Sequence, residues 1–234
     1  MSRTDVRKIA KSNLLVESSY RLKVNEQRLL LTAIAKLRPK MPLPKAGVKI
    51  SVSEFAECFS HVMDPHYAYE ALREAIGGLF DRSITNIDGK KRESVHWLSK
   101  STTYEDAYVI LHFNEHVAPY LSDLHGHYTD FTMKQISGLK SFYTIRLLEL
   151  LARFDDTGLF TVSLEKFRGQ MGVAEGQYKK WHDFRKRVID PAVAELRDQG
   201  QWDIEYVVKK RGRSVHGLEF HFQPVDQMPL NLED

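Results

Sequence analysis

The stretch Tyr178-Lys-Lys-Trp-His-Asp-Phe-Arg-Lys-Arg-Val188 concentrates the chemistry of this chain. At ~100° per residue, a helix over it places Trp181, Phe184 and Val188 on one face, to pack on a core. Lys179, His182, Asp183 and Lys186 then point away, with Lys180 and Arg187 flanking one side and Arg185 the other. An apolar back and a basic front fit the major groove of DNA. Lys and Arg donate to guanine edges and to phosphates, and Asp183 can accept from a cytosine amine. Ordinary amphipathic surface helices share this pattern and are far commoner. The next hairpin tilts the balance toward duplex DNA, because its tip carries Lys209, Lys210, Arg211, Gly212 and Arg213. A basic wing beside a basic helix is what a duplex-binding module needs.

Patterns that would make the chain an enzyme are weaker. His112-Phe-Asn-Glu-His116 has the His-x-x-Glu-His order of inverted zinc peptidases, whose histidines must share one helix face. Here His112 closes the β-rich run Tyr-Val-Ile-Leu and Asn114 reads as a helix cap, so the two histidines fall on different elements. A metal-dependent nickase needs a His-x-His pair and a nucleophilic tyrosine. His125-Gly-His127 has glycine at its centre and reads as a loop. No Gly-x-x-x-x-Gly-Lys loop marks a nucleotide-hydrolysing motor. The single cysteine, Cys58, excludes an intramolecular disulfide and a Cys-rich zinc site, and beside Phe55 and Phe59 it reads as a small buried apolar residue. The expectation is no catalytic residue, no metal and no cofactor.

The elements that must position these residues recur. Asn25 is expected to cap a helix from Glu26 to Leu37, stopped by Pro39. A strand Val48–Val52 follows, then a short helix capped by Ser53 and a second helix His66–Phe80. Three strands are expected next: Ser83–Ile87, Ser94–Thr103 and Ala107–Phe113. The second copy has a helix Leu139–Phe154, a strand Leu159–Ser163, a short helix capped by Ser163, a long helix Gln177–Asp198 and a hairpin Trp202–Lys209/Ser214–Phe222. Pro191 is expected to kink or end the long helix near Val188. Each half reads helix, strand, helix, helix, hairpin. This is the order of a winged helix. The expected class is α+β with two tandem winged-helix domains, residues 1–126 and 127–234. A single α+β domain sharing local patterns is the alternative architecture.

Composition sets the remaining bounds. With 42% hydrophobic and 28% charged residues, the 234-residue chain is an ordinary globular one, not a disordered one. No apolar run is long enough to span a bilayer, and the polar, basic start lacks the features of a signal peptide. A cytoplasmic protein without membrane contact is expected. The net charge of +3 is uneven: residues 1–50 carry +9, 51–175 carry −6, 176–213 carry +4 and 214–234 carry −4. Two basic blocks suit two contacts with a polyanion. In the first half the helix corresponding to Tyr178–Val188 is poorly matched to phosphate, since Glu70 and Glu74 face outward and Arg73 alone is basic. That half is expected to touch DNA through Lys90, Lys91, Arg92 and the basic N-terminal block, or to serve as a dimer surface.

These residues also resemble a known family. Lys11-Ser-Asn-Leu-Leu-Val-Glu-Ser-Ser-Tyr20, followed by Asn25-Glu-Gln-Arg-Leu29, is similar to the start of the iteron-binding plasmid replication initiators, the Rep proteins. The likeness continues in Tyr143-x-x-Arg-Leu-Leu-Glu-Leu-Leu151, Ser163-Leu-Glu-Lys-Phe-Arg168, Tyr178-Lys-Lys-Trp-x-x-Phe-Arg-Lys-Arg-Val-Ile-Asp-Pro-Ala192 and Lys210-Arg-Gly-Arg213. It implies binding of double-stranded DNA at repeated origin sites and recruitment of the host initiator and replicative helicase. It also implies a homodimer, formed through the first domain, that represses its own gene at an operator. By position it implies a reader made of Lys179, Lys180, His182, Asp183, Arg185, Lys186 and Arg187, with a wing of Lys209 to Arg213. A winged-helix transcription regulator acting only at a promoter is the competing reading and shares all this DNA chemistry.

Overall fold

The computed structural model describes residues 7–88, 91–104, 108–122, 124, 126–199 and 202–225. The first half runs β1 (Lys8–Ser12), α1 (Asn13–Glu17), α2 (Val24–Ile34), β2 (Val48–Ser51), α3 (Val52–Cys58) and α4 (Ala68–Phe80). It continues with β3 (Ser83–Asp88), β4 (Lys91–His96), β5 (Leu98–Tyr104) and β6 (Tyr108–Phe113), and α5 (Ala118–Leu121) bridges to the second half. That half runs β7 (Tyr128–Thr132), α6 (Met133–Ser137), α7 (Phe142–Ala152), β8 (Leu159–Ser163), α8 (Leu164–Gln170), α9 (Trp181–Phe184), α10 (Asp190–Asp198), β9 (Trp202–Arg211) and β10 (Ser214–Pro224).

The two halves repeat one plan. Each contains an antiparallel three-stranded sheet whose last strand lies in the middle: β2-β6-β5 and β8-β10-β9. Each opens with a five-residue strand ending in a hydroxyl that caps a five-residue helix. Ser12 accepts from the Leu15 amide, and Thr132 from the Gln135 amide. These two equivalent strands, β1 and β7, pair with each other, Lys8 opposite Thr132 and Ser12 opposite Tyr128. The halves are therefore joined by a shared ribbon, and their buried side chains form one continuous core.

A buried polar cluster reinforces the joint. Lys11, Tyr20, Arg146 and Glu149 are almost wholly excluded from solvent. Glu149 on α7 accepts from Lys11 Nζ at 2.6 Å, from Tyr20 Oη at 2.9 Å and from Arg146. Arg146 also donates to the carbonyls of Val16 (2.9 Å), Ser18 (3.2 Å) and Gln170 (2.8 Å). Burial alone would raise the Glu149 carboxyl, but the Lys11 and Arg146 charges win and hold it below the usual carboxylate range.

Several sequence expectations shift. Ser51, not Ser53, caps α3. Lys23 precedes α2, its amide donating to Glu26 at 2.8 Å, and Asn25 lies inside the first turn. The strand expected over Ser94–Thr103 is two strands. Trp97, fully buried, donates its amide to the Arg82 carbonyl at 3.1 Å and hands the chain from the β3–β4 hairpin to the winged sheet. The β3–β4 hairpin is thus an insertion without a counterpart among the described residues of the second half. The helix expected over Gln177–Asp198 begins at Trp181, and around Val188, where Pro191 was expected to kink or end it, a π turn over Arg185–Ile189 connects α9 to α10, with the Asp190 amide bonding to the Arg185 carbonyl. No described helix is long and apolar enough to cross a membrane.

Candidate nucleic-acid interface

The reading helix is seated from behind. Phe184, Val188, Ile189, Ala192, Val193 and Leu196 are buried, and Phe184 meets Phe167 of α8 with ring centroids 6.1 Å apart. Trp181 is half-buried against Phe184. The approach turn is set by left-handed backbone at Gly176 (φ 81°) and at Tyr178 (φ 47°), the one non-glycine residue with this conformation among those described. Arg168 of α8 holds that strained turn. It donates to the carbonyls of Tyr178 (2.9 Å) and Gln177 (2.5 Å) while its guanidinium lies 4.7 Å from the Phe184 ring centre. Arg21, from the first half, donates to Gln177 Oε1 at 2.9 Å.

With its back fixed, the helix exposes His182, Arg185, Lys186 and Arg187, and Asp183 is half-buried beside them; Lys179 and Lys180, expected on the helix, are exposed in the extended segment just before it, because the left-handed turn at Tyr178 delays the helix start to Trp181. The π turn contributes to this arrangement. Val188 and Ile189 are consecutive and both buried, while Arg185, Lys186 and Arg187 are consecutive and all exposed. The wing, β9 and β10, closes on the two-residue loop Gly212–Arg213, where Gly212 supplies the positive φ (62°) that the first loop position needs. Lys210, Arg211 and Arg213 are exposed at this tip. Lys209 pairs with Glu219 on β10 at 3.0 Å, so its charge is already countered.

The first half presents a different surface. On α4, Arg73 is exposed but pairs with Glu70 at 3.3 Å, and Glu74 is exposed beside it. Lys91 and Arg92 begin β4, so they belong to the inserted hairpin and not to the winged sheet; Lys90 lies outside the described residues. Several described cations of the basic N-terminal block are already engaged. Lys11 is buried on Glu149, Arg28 donates to Asn25 and to the Leu139 carbonyl, and Arg7 and Lys36 share Glu54. The charge count along the sequence overstated the field there because these partners are internal. Of the two histidine motifs, His112 lies in β6, one residue before its end, and His116 follows the Asn114 cap in a separate 3₁₀ turn. His125 lies outside the described residues, and His127 is exposed. Sequence reasoning missed Arg168 as the staple of the approach turn; its place in the Ser163–Arg168 motif was the available signal.

Two family models account for most of this architecture. Residues 8–152 match the model described as Initiator Replication protein, WH1, and residues 163–222 match that described as Initiator Rep protein, WH2. The chain belongs to the initiator replication protein family. Among its relatives, this initiator is 25% identical over 235 residues to a "Replication initiation protein" of Escherichia coli, covering 96% of this chain and 72% of the relative. It is 24% identical over 253 residues to the "PI protein" of Escherichia coli, covering 92% and 82%. The crystal structure of Pi initiator protein in complex with iteron DNA superposes with a TM-score of 0.80 at 20% identity, covering 97% of this initiator and 100% of that chain. That likeness shows the fold: two winged-helix domains.

Proposed function

We propose that this chain initiates plasmid replication by binding repeated origin sites, iterons, as duplex DNA through its two winged-helix domains. The observation that carries the reading is the exposed row Lys179 and Lys180, just before a helix fixed to the core, and His182, Arg185, Lys186 and Arg187 on it, beside the wing tip Lys210, Arg211 and Arg213. Family membership supports it, as does the shared fold with an initiator whose structure contains iteron DNA. In this reading residues 127–234 are the main sequence reader. Residues 1–126 supply backbone contacts, through Arg73 and Lys90–Arg92, and a homodimer surface; the acidic pair Glu70 and Glu74 on α4 supports that division. The chain acts in the cytoplasm by binding and not by catalysis. It recruits the host initiator and replicative helicase and, as a dimer on an operator, represses its own gene.

The test is a binding selection from random duplex DNA at one stated salt concentration. The reading predicts an enriched site of about two helical turns, preferred over scrambled duplex by ~10³ or more. Direct repeats of that site near the coding region identify an origin, whereas a lone palindrome identifies a promoter regulator. Salt-sensitive binding without enrichment would overturn both.

A further inference from the structure

Among the described residues, Arg185 differs from the other cations of the reading helix because it already has an anionic partner. Its Nε donates to Asp190 Oδ2 at 3.0 Å. The other carboxylate oxygen, Oδ1, accepts from Tyr206 Oη at 2.5 Å. Five residues separate Arg185 from Asp190. In a regular α-helix that spacing leaves two side chains ~140° apart, too divergent to meet directly. The π turn over Arg185–Ile189 closes the angle, because its hydrogen bonds run between residues five apart. Pro191 follows at once and has no amide to restore the α pattern.

Tyr206 lies on β9, the first strand of the wing, and its ring packs on Phe220 with centroids 5.7 Å apart. One carboxylate therefore ties the reading helix to the wing. The Asp190 hydrogen bond and charge push Arg185 further up, and burial with Asp190 pushes the Tyr206 hydroxyl up, so both groups remain donors at neutral pH. A free arginine on a DNA-facing surface would bind any phosphate and release a counterion whatever the sequence. An arginine whose Nε is held on a carboxylate, its charge partly countered, does so less readily.

We propose that Asp190 is a specificity-determining, positioning residue of the DNA interface: it restrains Arg185 from indiscriminate phosphate binding, and Tyr206 fixes the carboxylate that does so. The inference rests on the duplex-binding reading above. It makes Asp190 a residue that lowers affinity for random DNA to gain selectivity.

The experiment titrates the full chain with the duplex enriched from the random pool and with its scrambled counterpart, over a salt series. Wild type is compared with Asp190→Asn, Tyr206→Phe, Arg185→Ala and the Arg185→Ala/Asp190→Asn pair. Asp190→Asn should tighten binding to scrambled duplex and steepen its salt slope by about 0.9, one added phosphate contact. The site-to-scrambled ratio should fall by roughly three- to tenfold. Tyr206→Phe, which keeps the packed ring and removes only the hydroxyl, should move both quantities the same way by less. In the Arg185→Ala background, Asp190→Asn should change neither. A purely structural role predicts instead that both duplexes weaken in proportion. That result, or an Asp190→Asn effect that persists without Arg185, overturns the inference. If Asp190→Asn does not fold, Tyr206→Phe decides, and an unchanged ratio overturns it. A wild-type chain that discriminates between duplexes while the variants leave the ratio unchanged sinks the inference alone. A wild-type chain that binds no duplex sinks the functional reading and the inference with it.

Discussion

Changing Glu149→Gln should destabilise the chain more than any surface substitution, and the reason lies in the charge count of its surroundings. Glu149, Lys11 and Arg146 have no solvent exposure. The cluster holds two cations and one anion, and the carboxylate is the sole negative group among these side chains. Removing it leaves two buried cations facing each other, and breaking a buried pair in this way costs ~3–5 kcal/mol. Against a typical domain stability of ~5–15 kcal/mol, that is a large fraction. Lys11→Met removes the surplus cation and leaves Arg146 with Glu149, so its cost should stay below ~2 kcal/mol. Urea unfolding at neutral pH, with linear extrapolation, measures both. The acid limb gives a second reading. The folded carboxyl lies below its unfolded value, so its contribution is complete above about pH 4.3 and is lost as pH falls through the depressed value. Glu149→Gln should remove that part of the acid dependence. A Glu149→Gln loss under ~1 kcal/mol, or a Lys11→Met loss as large, would refute the reasoning.

Two further outcomes follow from backbone geometry and charge. Gly172 (φ 65°) sits where an added Cβ would lie 2.3 Å from the Tyr20 carbonyl oxygen, whereas Gly212 (φ 62°) opens on empty space. Both alanine variants bear the left-handed cost of ~1–2 kcal/mol, but Gly172→Ala adds a clash with backbone across the joint between halves. Thermal melts should therefore rank Gly172→Ala well below Gly212→Ala, and equal melting temperatures would contradict the close approach. Sedimentation at high concentration, with and without duplex, should show a dimer; monomer under every condition would remove the proposed dimer role of the first half.

The repeated plan was legible because the pieces that carry it are local. Ser163 capping α8 and the basic hairpin tip each announce themselves within about ten residues, whereas α7, expected to be amphipathic, is buried on every face because Arg146 and Glu149 are paired inside. What escaped depends on distant partners. The β1 and β7 strands are five residues each and pair across 120 residues, a relation that no periodicity encodes. Lys11 counted as part of a basic block, yet its counter-charge lies 138 residues away and both are buried. Within the candidate interface, helical spacing placed His182 and Lys186 outward, as they are, but it also put Lys179 on the helix, which it precedes, and turned Asp183 fully outward, where it is half-buried. Pro191 signalled a disturbance near Val188, but spacing at 100° per residue could not show that a π turn would bring Arg185 onto Asp190.

The central claim is that the helix beginning at Trp181 reads bases while the wing holds phosphate, and a salt series on two variants tests it most directly. On the selected duplex, Lys186→Ala should weaken binding by ~1–3 kcal/mol and relax preference at one position, while scrambled duplex is affected much less. Lys210→Ala with Arg211→Ala should weaken both duplexes alike and flatten the salt slope by about 1.8, two phosphates' worth. Unchanged affinity in both variants, or Lys186→Ala weakening the two duplexes equally, would contradict the account.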